Sequence, residues 1–372
     1  MQPQLIARLG VWLNPLIIRL PRSLAVKIYS IGRSYFMHKF YQSRPSNINI
    51  KPHPKKLWGL IFNLPLMNAA GMFKNGECYD LSANQGAGGY IGGTSTSNVR
   101  AGNIKHGIQH PFISLPRAHL TLNYLGLPNL GDTYLSTHTI SKQKKTGCPI
   151  GWSLMRSPDY GVDESMEKLI DSLWLYHNKA EIDFIEINES CPNVDHKIVE
   201  GLSTNSLVIL ENRLRYIANN FLAKRQRNLP VILKLSTDLT LEELPDLLDL
   251  LIEYKYDGIN IGNTSTNYQE IKLQNNNDQR LFDYFTQNIG GGIGGESLKQ
   301  RSLQLCTAAV KYIKSKQSTH EFHVIRCGGI TDIQDILDSD NAGISLNQWY
   351  SGYFENYIHY GDELYAKIFS NY

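Results

Sequence analysis

Apolar and polar positions follow two different rhythms along this chain. Up to about residue 42 the apolar residues recur at helical spacing: Leu5, Leu9, Trp12 and Leu13, then Leu24, Ile28, Ile31 and Tyr35. Arg22, Lys27, Arg33 and Lys39 are interleaved with the second set. A period of three to four residues is that of an amphipathic helix. It predicts two helices, over 3–13 and 22–41, with breaks around Pro15 and Pro21. Residues 43–56, with Ser43, Pro45, Ser46, Pro52 and Pro54, predict a linker. From residue 57 on, short β-rich runs alternate with helical stretches. Strands are predicted at 89–93, 149–154, 182–188, 230–235, 257–262, 322–327 and 344–348. Helices are predicted between them, among others at 163–178, 206–225, 240–254 and 296–315.

Repeated strand–helix alternation implies a parallel sheet with crossover helices. At this length the expected α/β architecture is a closed (β/α)8 TIM barrel over 57–372, carrying a helical appendage over 1–42; an open doubly wound sheet is the alternative. Each strand run is followed by distinctive polar or glycine residues. In order they are Thr94, Ser153, Asn188 with Cys191, Lys234, Asn263 with Thr264, Gly328-Gly329, and Tyr350-Ser351-Gly352. In a barrel the C-terminal strand ends converge on one face, so these residues are expected to share one site. The last two groups stand where barrels often bind phosphate, and glycines let backbone N–H groups approach phosphate oxygens. The run Gly290-Gly291-Gly292-Ile293-Gly294-Gly295, leading into a helix, predicts another such loop.

Charge is distributed unevenly. Residues 1–76 hold eleven Lys/Arg and no acidic residue, while the remaining 26 cations face all 34 carboxylates, leaving that part at −8. A basic segment on an acidic body points to an anionic partner, either phospholipid headgroups or nucleic acid. The stretch Leu9–Leu20 is broken by Asn14, Pro15 and Arg19 and falls short of the roughly 18 residues a span requires. An Arg-rich, acid-free start also suits a mitochondrial transit peptide. The helices either lie in a membrane interface or pack on the barrel.

The five cysteines are widely spaced, with no metal-like pattern, and read as free thiols; no metal site is expected. Cys191 stands out in Asn188-Glu189-Ser190-Cys191-Pro192-Asn193, just beyond a strand end. A thiol needs only a modest shift to act as a base near neutral pH, and the two asparagines offer partners for an amide edge. Cys78, Cys148, Cys306 and Cys327 are assigned structural roles. Lys74 follows an apolar run and Lys234 ends a buried strand, a position that calls for an anion. Segment 194–207 is placed like a lid.

Eight segments, in order, resemble the dihydroorotate dehydrogenase family: AAGMFKNGE (69–77), LNYLGLPNLG (122–131), IEINESCPN (185–193), ILKLSTDLT (232–240), DGINIGNTST (257–266), GGIGGESL (291–298), CGGI (327–330) and SLNQWYSG (345–352). The resemblance implies an FMN-dependent oxidation of dihydroorotate to orotate in pyrimidine biosynthesis, with Cys191 as the base. It implies that Lys74, Asn123, Asn188, Asn193, Asn263 and Thr264 hold the substrate. Ala70, Gly71, Thr94, Ser153, Asn188 and Lys234 would contact the flavin, and Gly295, Gly328, Gly329, Tyr350 and Ser351 its phosphate end. Lys74, the basic N-terminus and Asn263-Thr264 are like the membrane-associated, quinone-reducing class. Cys191, Ser153, LGLPN and GGIGG are like the soluble class. In the quinone class a basic residue follows a proline near the quinone entrance; here Phe112 follows Pro111, and Leu127 replaces an aromatic. The class implies a quinone acceptor and peripheral attachment to an anionic membrane surface, on the cytoplasmic face in a bacterium or the mitochondrial inner membrane in a eukaryote. The tRNA dihydrouridine synthases share an N-x-x-C-P context, but Asn193, Lys74 and the NTST segment match them less well, and no nucleic acid is expected. A flavin barrel acting on another dihydropyrimidine would share most of these residues, and a non-catalytic, FMN-carrying membrane-surface protein would need neither Lys74 nor Cys191.

Overall fold

The computed structural model describes residues 2–45, 47–138, 144–189, 204–316 and 318–372. Cys191, Asn193 and most of the segment 194–207 lie outside the described residues. Strands β1 (Lys55–Leu57) and β2 (Leu60–Phe62) form an antiparallel hairpin. There follow β3 (Leu66–Asn68), β4 (Tyr90–Ser95), a small hairpin of β5 (Ile104–Lys105) and β6 (Ile108–Gln109), then β7 (Phe112–Leu115) and β8 (Leu120–Asn123). The remaining strands are β9 (Ile150–Leu154), β10 (Phe184–Asn188), β11 (Val231–Leu235), β12 (Gly258–Ile261), β13 (Gly292–Gly295), β14 (His323–Cys327) and β15 (Leu346–Trp349).

Eight of these strands lie in one sheet in the order β3-β15-β14-β12-β11-β10-β9-β4, every pair parallel. The seven predicted strands are all present, each within two residues at either end. The eighth, β3, is the one the sequence pattern missed. It has only three residues, and its approach to β4 is bridged by a side chain. Asn68 Nδ2 donates to the Ile91 carbonyl at 2.8 Å, and its Oδ1 accepts from Ile91 N–H at 3.1 Å. Together with the bond from Gly88 N–H to the Leu66 carbonyl (3.0 Å), this brings the two ends of the sheet together into a barrel.

Side chains alternate between the interior and the helix-facing side. The lower interior is apolar: Met67, Ile91, Phe184, Ile232, Ile325 and Leu346 meet Leu57, Trp58 and Phe62 of the β1–β2 hairpin. Two residues further along, β9, β10, β11, β12 and β15 carry Ser153, Glu186, Lys234, Asn260 and Gln348, all buried. The barrel therefore has an apolar floor with a polar layer above it. A three-stranded antiparallel sheet, β7-β8-β13, lies beyond the main sheet. It corrects one expectation, because Gly292–Gly295 is a strand rather than a loop, pairing Gly292 with Asn123 and Ile293 with Leu122. A run of glycines has no side-chain period from which a strand can be read.

Helix α1 (Pro3–Ile17) runs past the break expected at Pro15, and α2 (Arg22–Phe40) follows it. Pro15 sits in the last turn of α1, and the chain breaks instead after Ile18, whose N–H still bonds the Asn14 carbonyl at 3.1 Å. Proline removes one intrahelical donor there, and the helix nevertheless continues to Ile17. Ile18, Ala25 and Val26 join a core with Leu115, Leu122, Phe282 and Phe285. Phe40 stacks on Phe73 (centroids 6.3 Å apart) and meets Tyr357 edge-on at 5.1 Å. The helices do pack on the barrel. They also leave Leu5, Trp12, Leu16 and Ile31 at least half exposed, Trp12 at 72%. Among the described residues, no helix is long and apolar enough to cross a membrane.

Replacing Phe40 by Ala is expected to lower unfolding free energy by about 3–5 kcal/mol, read from denaturant unfolding. Trp12→Ala, on the exposed face, is expected to change it by less than about 0.5 kcal/mol.

Candidate active site

A cavity with about 1000 Å³ of empty space, part of it open to solvent, sits at the C-terminal ends of the barrel strands. Residues from sequence positions 69 to 352 line it. Of the residues predicted for a site, Ala70, Gly71, Lys74, Thr94, Asn123, Asn188, Lys234, Asn263, Thr264, Gly295, Gly328, Gly329, Tyr350 and Ser351 all do so. Ser153 does not. It is fully buried one layer down, 2.9 Å from Thr94 Oγ1.

The floor is a connected polar network. Asn263 Nδ2 donates to Asn188 Oδ1 (3.3 Å), and Asn188 Nδ2 donates to Thr94 Oγ1 (3.3 Å). Thr94 meets Ser153, which in turn donates to Glu186 Oε1 at 3.2 Å. The strand register brings this about. Asn188 of β10 stands beside Lys234 of β11, and Lys234 beside Asn260 of β12. Burial alone pushes the Lys234 ammonium down, but Glu186, 3.5 Å away, and Cys327 more than offset it, and the net shift is upward. Lys234 is therefore a charged lysine in the wall of the cavity.

The opposite wall is built for an anion. Gly328 and Gly329 follow β14 with φ of +112° and +75°. A Cβ on Gly329 would stand 2.3 Å from Lys299 Cα, and one on Gly295 2.1 Å from the His119 carbonyl oxygen. Only glycine fits such approaches. The helix Ser351–Tyr360 begins here, and Ser351 Oγ lies 3.0 Å from Thr121 Oγ1. Its first turn presents free backbone N–H groups, a natural seat for phosphate. The lining side chains include two lysines and, among the described residues, no carboxylate.

At the edge, α2 contributes Arg33. Its guanidinium donates to the Tyr350 hydroxyl at 3.1 Å and lies 5.5 Å from the Phe112 ring centroid. The place after Pro111 that lacks a cation in the sequence thus has one supplied by α2. The remaining thiols of the described residues are buried or half-buried, and burial pushes Cys148 and Cys306 up to about 12. At that value they are inert as bases near neutral pH. Cys327 also lines the cavity, with burial pushing its thiol up. Sequence reasoning missed Glu186, Asn260 and Gln348. The available signal was Glu186 two residues before Asn188 in an otherwise apolar strand, hence on the same face.

Gly329→Ala is expected to cost more than about 1 kcal/mol of stability, since a left-handed backbone meets a backbone clash; thermal unfolding of the variant beside the parent chain checks it.

A family model described as "Dihydroorotate dehydrogenase" matches residues 54–367. A protein of Buchnera aphidicola subsp. Schizaphis graminum named "Dihydroorotate dehydrogenase (quinone)" is 30% identical over 87% of this chain and 89% of its own length. One of the same name from Proteus mirabilis is 28% identical, covering 92% of this chain and 91% of its own. Among solved structures, the Eimeria tenella dihydroorotate dehydrogenase in complex with ferulenol superposes with a TM-score of 0.69 at 19% identity, over 91% of this chain and 88% of that one.

Proposed function

The chain belongs to the dihydroorotate dehydrogenase family, and from that premise we propose that it oxidises dihydroorotate to orotate on a bound FMN and passes the electrons to a quinone. The observation that carries this is the cavity wall: two lysines, no carboxylate among the described lining residues, and a glycine cradle ending at a helix N-terminus. Such a wall suits a ligand set that is anionic at both ends, a carboxylate substrate and a phosphorylated cofactor.

FMN, when bound, accepts a hydride from the substrate ring. The chain's residues do the rest. Gly295, Gly328, Gly329, Tyr350 and Ser351 hold the phosphate end, where a side chain on Gly295 or Gly329 would fill the space. Ala70, Gly71, Thr94, Asn188 and Lys234 face the ring system, with Ser153 bracing Thr94 from below. Lys74, Asn123, Asn188, Asn263 and Thr264, with Asn193, bind the pyrimidine and its carboxylate. Cys191, as thiolate, takes the proton from the ring carbon beside the one that gives up hydride, and a C=C bond forms between the two.

The quinone approaches at the α2 edge, where Arg33 supplies the cation beside Phe112 and Tyr350. The exposed apolar face of α1 and α2 attaches the protein peripherally to the cytoplasmic face of a bacterial membrane. Leu5, Trp12, Leu16 and Ile31 enter the interface, and the exposed Arg19, Arg22 and Lys27 meet anionic headgroups.

Anaerobic addition of dihydroorotate is expected to bleach the flavin absorbance, and Cys191→Ala to slow that bleaching at least about a hundredfold; unchanged bleaching in the variant would remove Cys191 from the reaction. Arg33→Ala is expected to raise the quinone KM about tenfold with a smaller effect on the bleaching rate, which steady-state and stopped-flow measurements separate. Removing residues 1–20 takes away α1 but leaves the packed face of α2. The shortened protein is expected to lose binding to anionic liposomes while retaining FMN, and cosedimentation reads both.

A further inference from the structure

Glu186 lies in the middle of β10 with no exposed surface, 3.5 Å from Lys234 and outside the lining of the cavity. Its carboxylate is held from three other strands. Oε2 accepts from Asn260 Nδ2 of β12 at 2.7 Å and from Gln348 Nε2 of β15 at 2.9 Å, and Oε1 accepts from Ser153 Oγ of β9 at 3.2 Å. Gln348 also accepts, through Oε1, from Lys234 Nζ at 3.1 Å. The lysine is therefore tied to the same carboxylate twice, once directly and once through the Gln348 amide. An ammonium has three N–H donors. Gln348 takes one and Glu186 lies within reach of a second, which leaves one for a ligand in the cavity that Lys234 lines.

We propose that Glu186 is a positioning residue: it keeps the Lys234 ammonium charged and seated in the cavity wall, so that the lysine can hold the electron-rich face or edge of the bound flavin. Glu186 touches neither flavin nor substrate and acts only through Lys234. The inference rests on the FMN reading given above. Its physical content is that a lysine with so little water around it cannot stay charged alone. Desolvation favours the neutral amine, and a buried charge stripped of its partner is the costly state, whereas removing both charges is tolerated.

The test is a four-way cycle on the full-length apo-protein: parent, Glu186→Gln, Lys234→Met and the double variant. FMN dissociation constants are read from flavin fluorescence between pH 7 and 9. In the parent, the affinity is expected to be flat over this range. In Glu186→Gln it should fall as pH rises, reaching about tenfold weaker at pH 9, because the unpartnered lysine loses its proton. On the Lys234→Met background the same substitution should change affinity less than twofold and add no pH dependence. Equal losses in both backgrounds, or a Glu186→Gln variant that binds like the parent at every pH, would overturn the assignment and leave Glu186 a packing residue. Should Glu186→Gln fail to fold, Glu186→Asp replaces it: the shorter carboxylate draws back from Lys234, so FMN affinity should fall in the Lys234 background, by less than for Glu186→Gln, and stay within twofold in the Lys234→Met background, and equal losses in both would overturn the assignment. A parent protein that binds no FMN would overturn the underlying reading instead, a result distinct from additivity within the cycle.

Discussion

An ammonium and a carboxylate 3.5 Å apart, with almost no solvent exposure, impose conditions on everything around them. Taking both charges out of water costs several kcal/mol per ion, and mutual attraction offsets it only where the remaining donors and acceptors are satisfied. Here Ser153, Asn260 and Gln348 satisfy them, one from each of three further strands. The requirement propagates into register. A one-residue slip of any of these strands would turn its polar side chain toward the helices and an apolar one inward. The pair thus specifies how five strands align, and the cavity above them inherits that alignment.

Stability and chemistry are divided along the barrel axis. Below the polar layer the interior is filled by aliphatic and aromatic side chains and closed by the β1–β2 hairpin, with Trp58 Nε1 bonded to the Asp257 carbonyl at 3.0 Å. Above it the cavity opens, and at Gly328, Gly329 and Gly295 the backbone itself forms part of the wall. A side chain at Gly295 or Gly329 would meet neighbouring backbone at once. The small antiparallel sheet contributes from the other direction: β13 brings Gly294 and Gly295 in beside Thr121 of β8. A site assembled from strand ends can be rigid in this way without being filled.

How much of this was legible in the sequence depends on how local each signal was. Parallel strands buried on both faces read as continuous β-rich runs, so seven of the eight barrel strands and the polar residues at their ends were visible. β3 was not, because three residues carry no period and the Asn68 amide takes the place of the ladder toward β4. The strand Gly292–Gly295 looked like a loop because pairing with β8, not composition, makes it extended. Lys234 was legible as a buried cation in search of an anion. Its partner was not, since Glu186 lies 48 residues away in sequence and only the crossover between β10 and β11 brings them together. Ser153, expected at the flavin, is buried outside the cavity lining, 2.9 Å from Thr94 Oγ1, and sequence does not encode which layer of the barrel a residue occupies. Cys191 and Asn193 rest on the sequence and the family, being outside the described residues.

The N-terminal helices had two readings, packed on the barrel or lying at a membrane; the geometry shows the packing, and it leaves one apolar face exposed. A helix has a full circumference, and α2 uses one side for Ala25, Val26, Met37 and Phe40 while Leu24, Ile31 and Tyr35 remain outside. Burial of the first set fixes where the second set points. It also fixes Arg33, whose contact with Tyr350 ties α2 to the loop after β15. Phe112 offers that cation an aromatic face 5.5 Å away. The buried face of α2 keeps the helix from rotating. Turning α2 to bury its exposed face would expose Phe40 and pull Arg33 away from the cavity edge. Packing of the appendage is therefore what allows it to take part in the site at all.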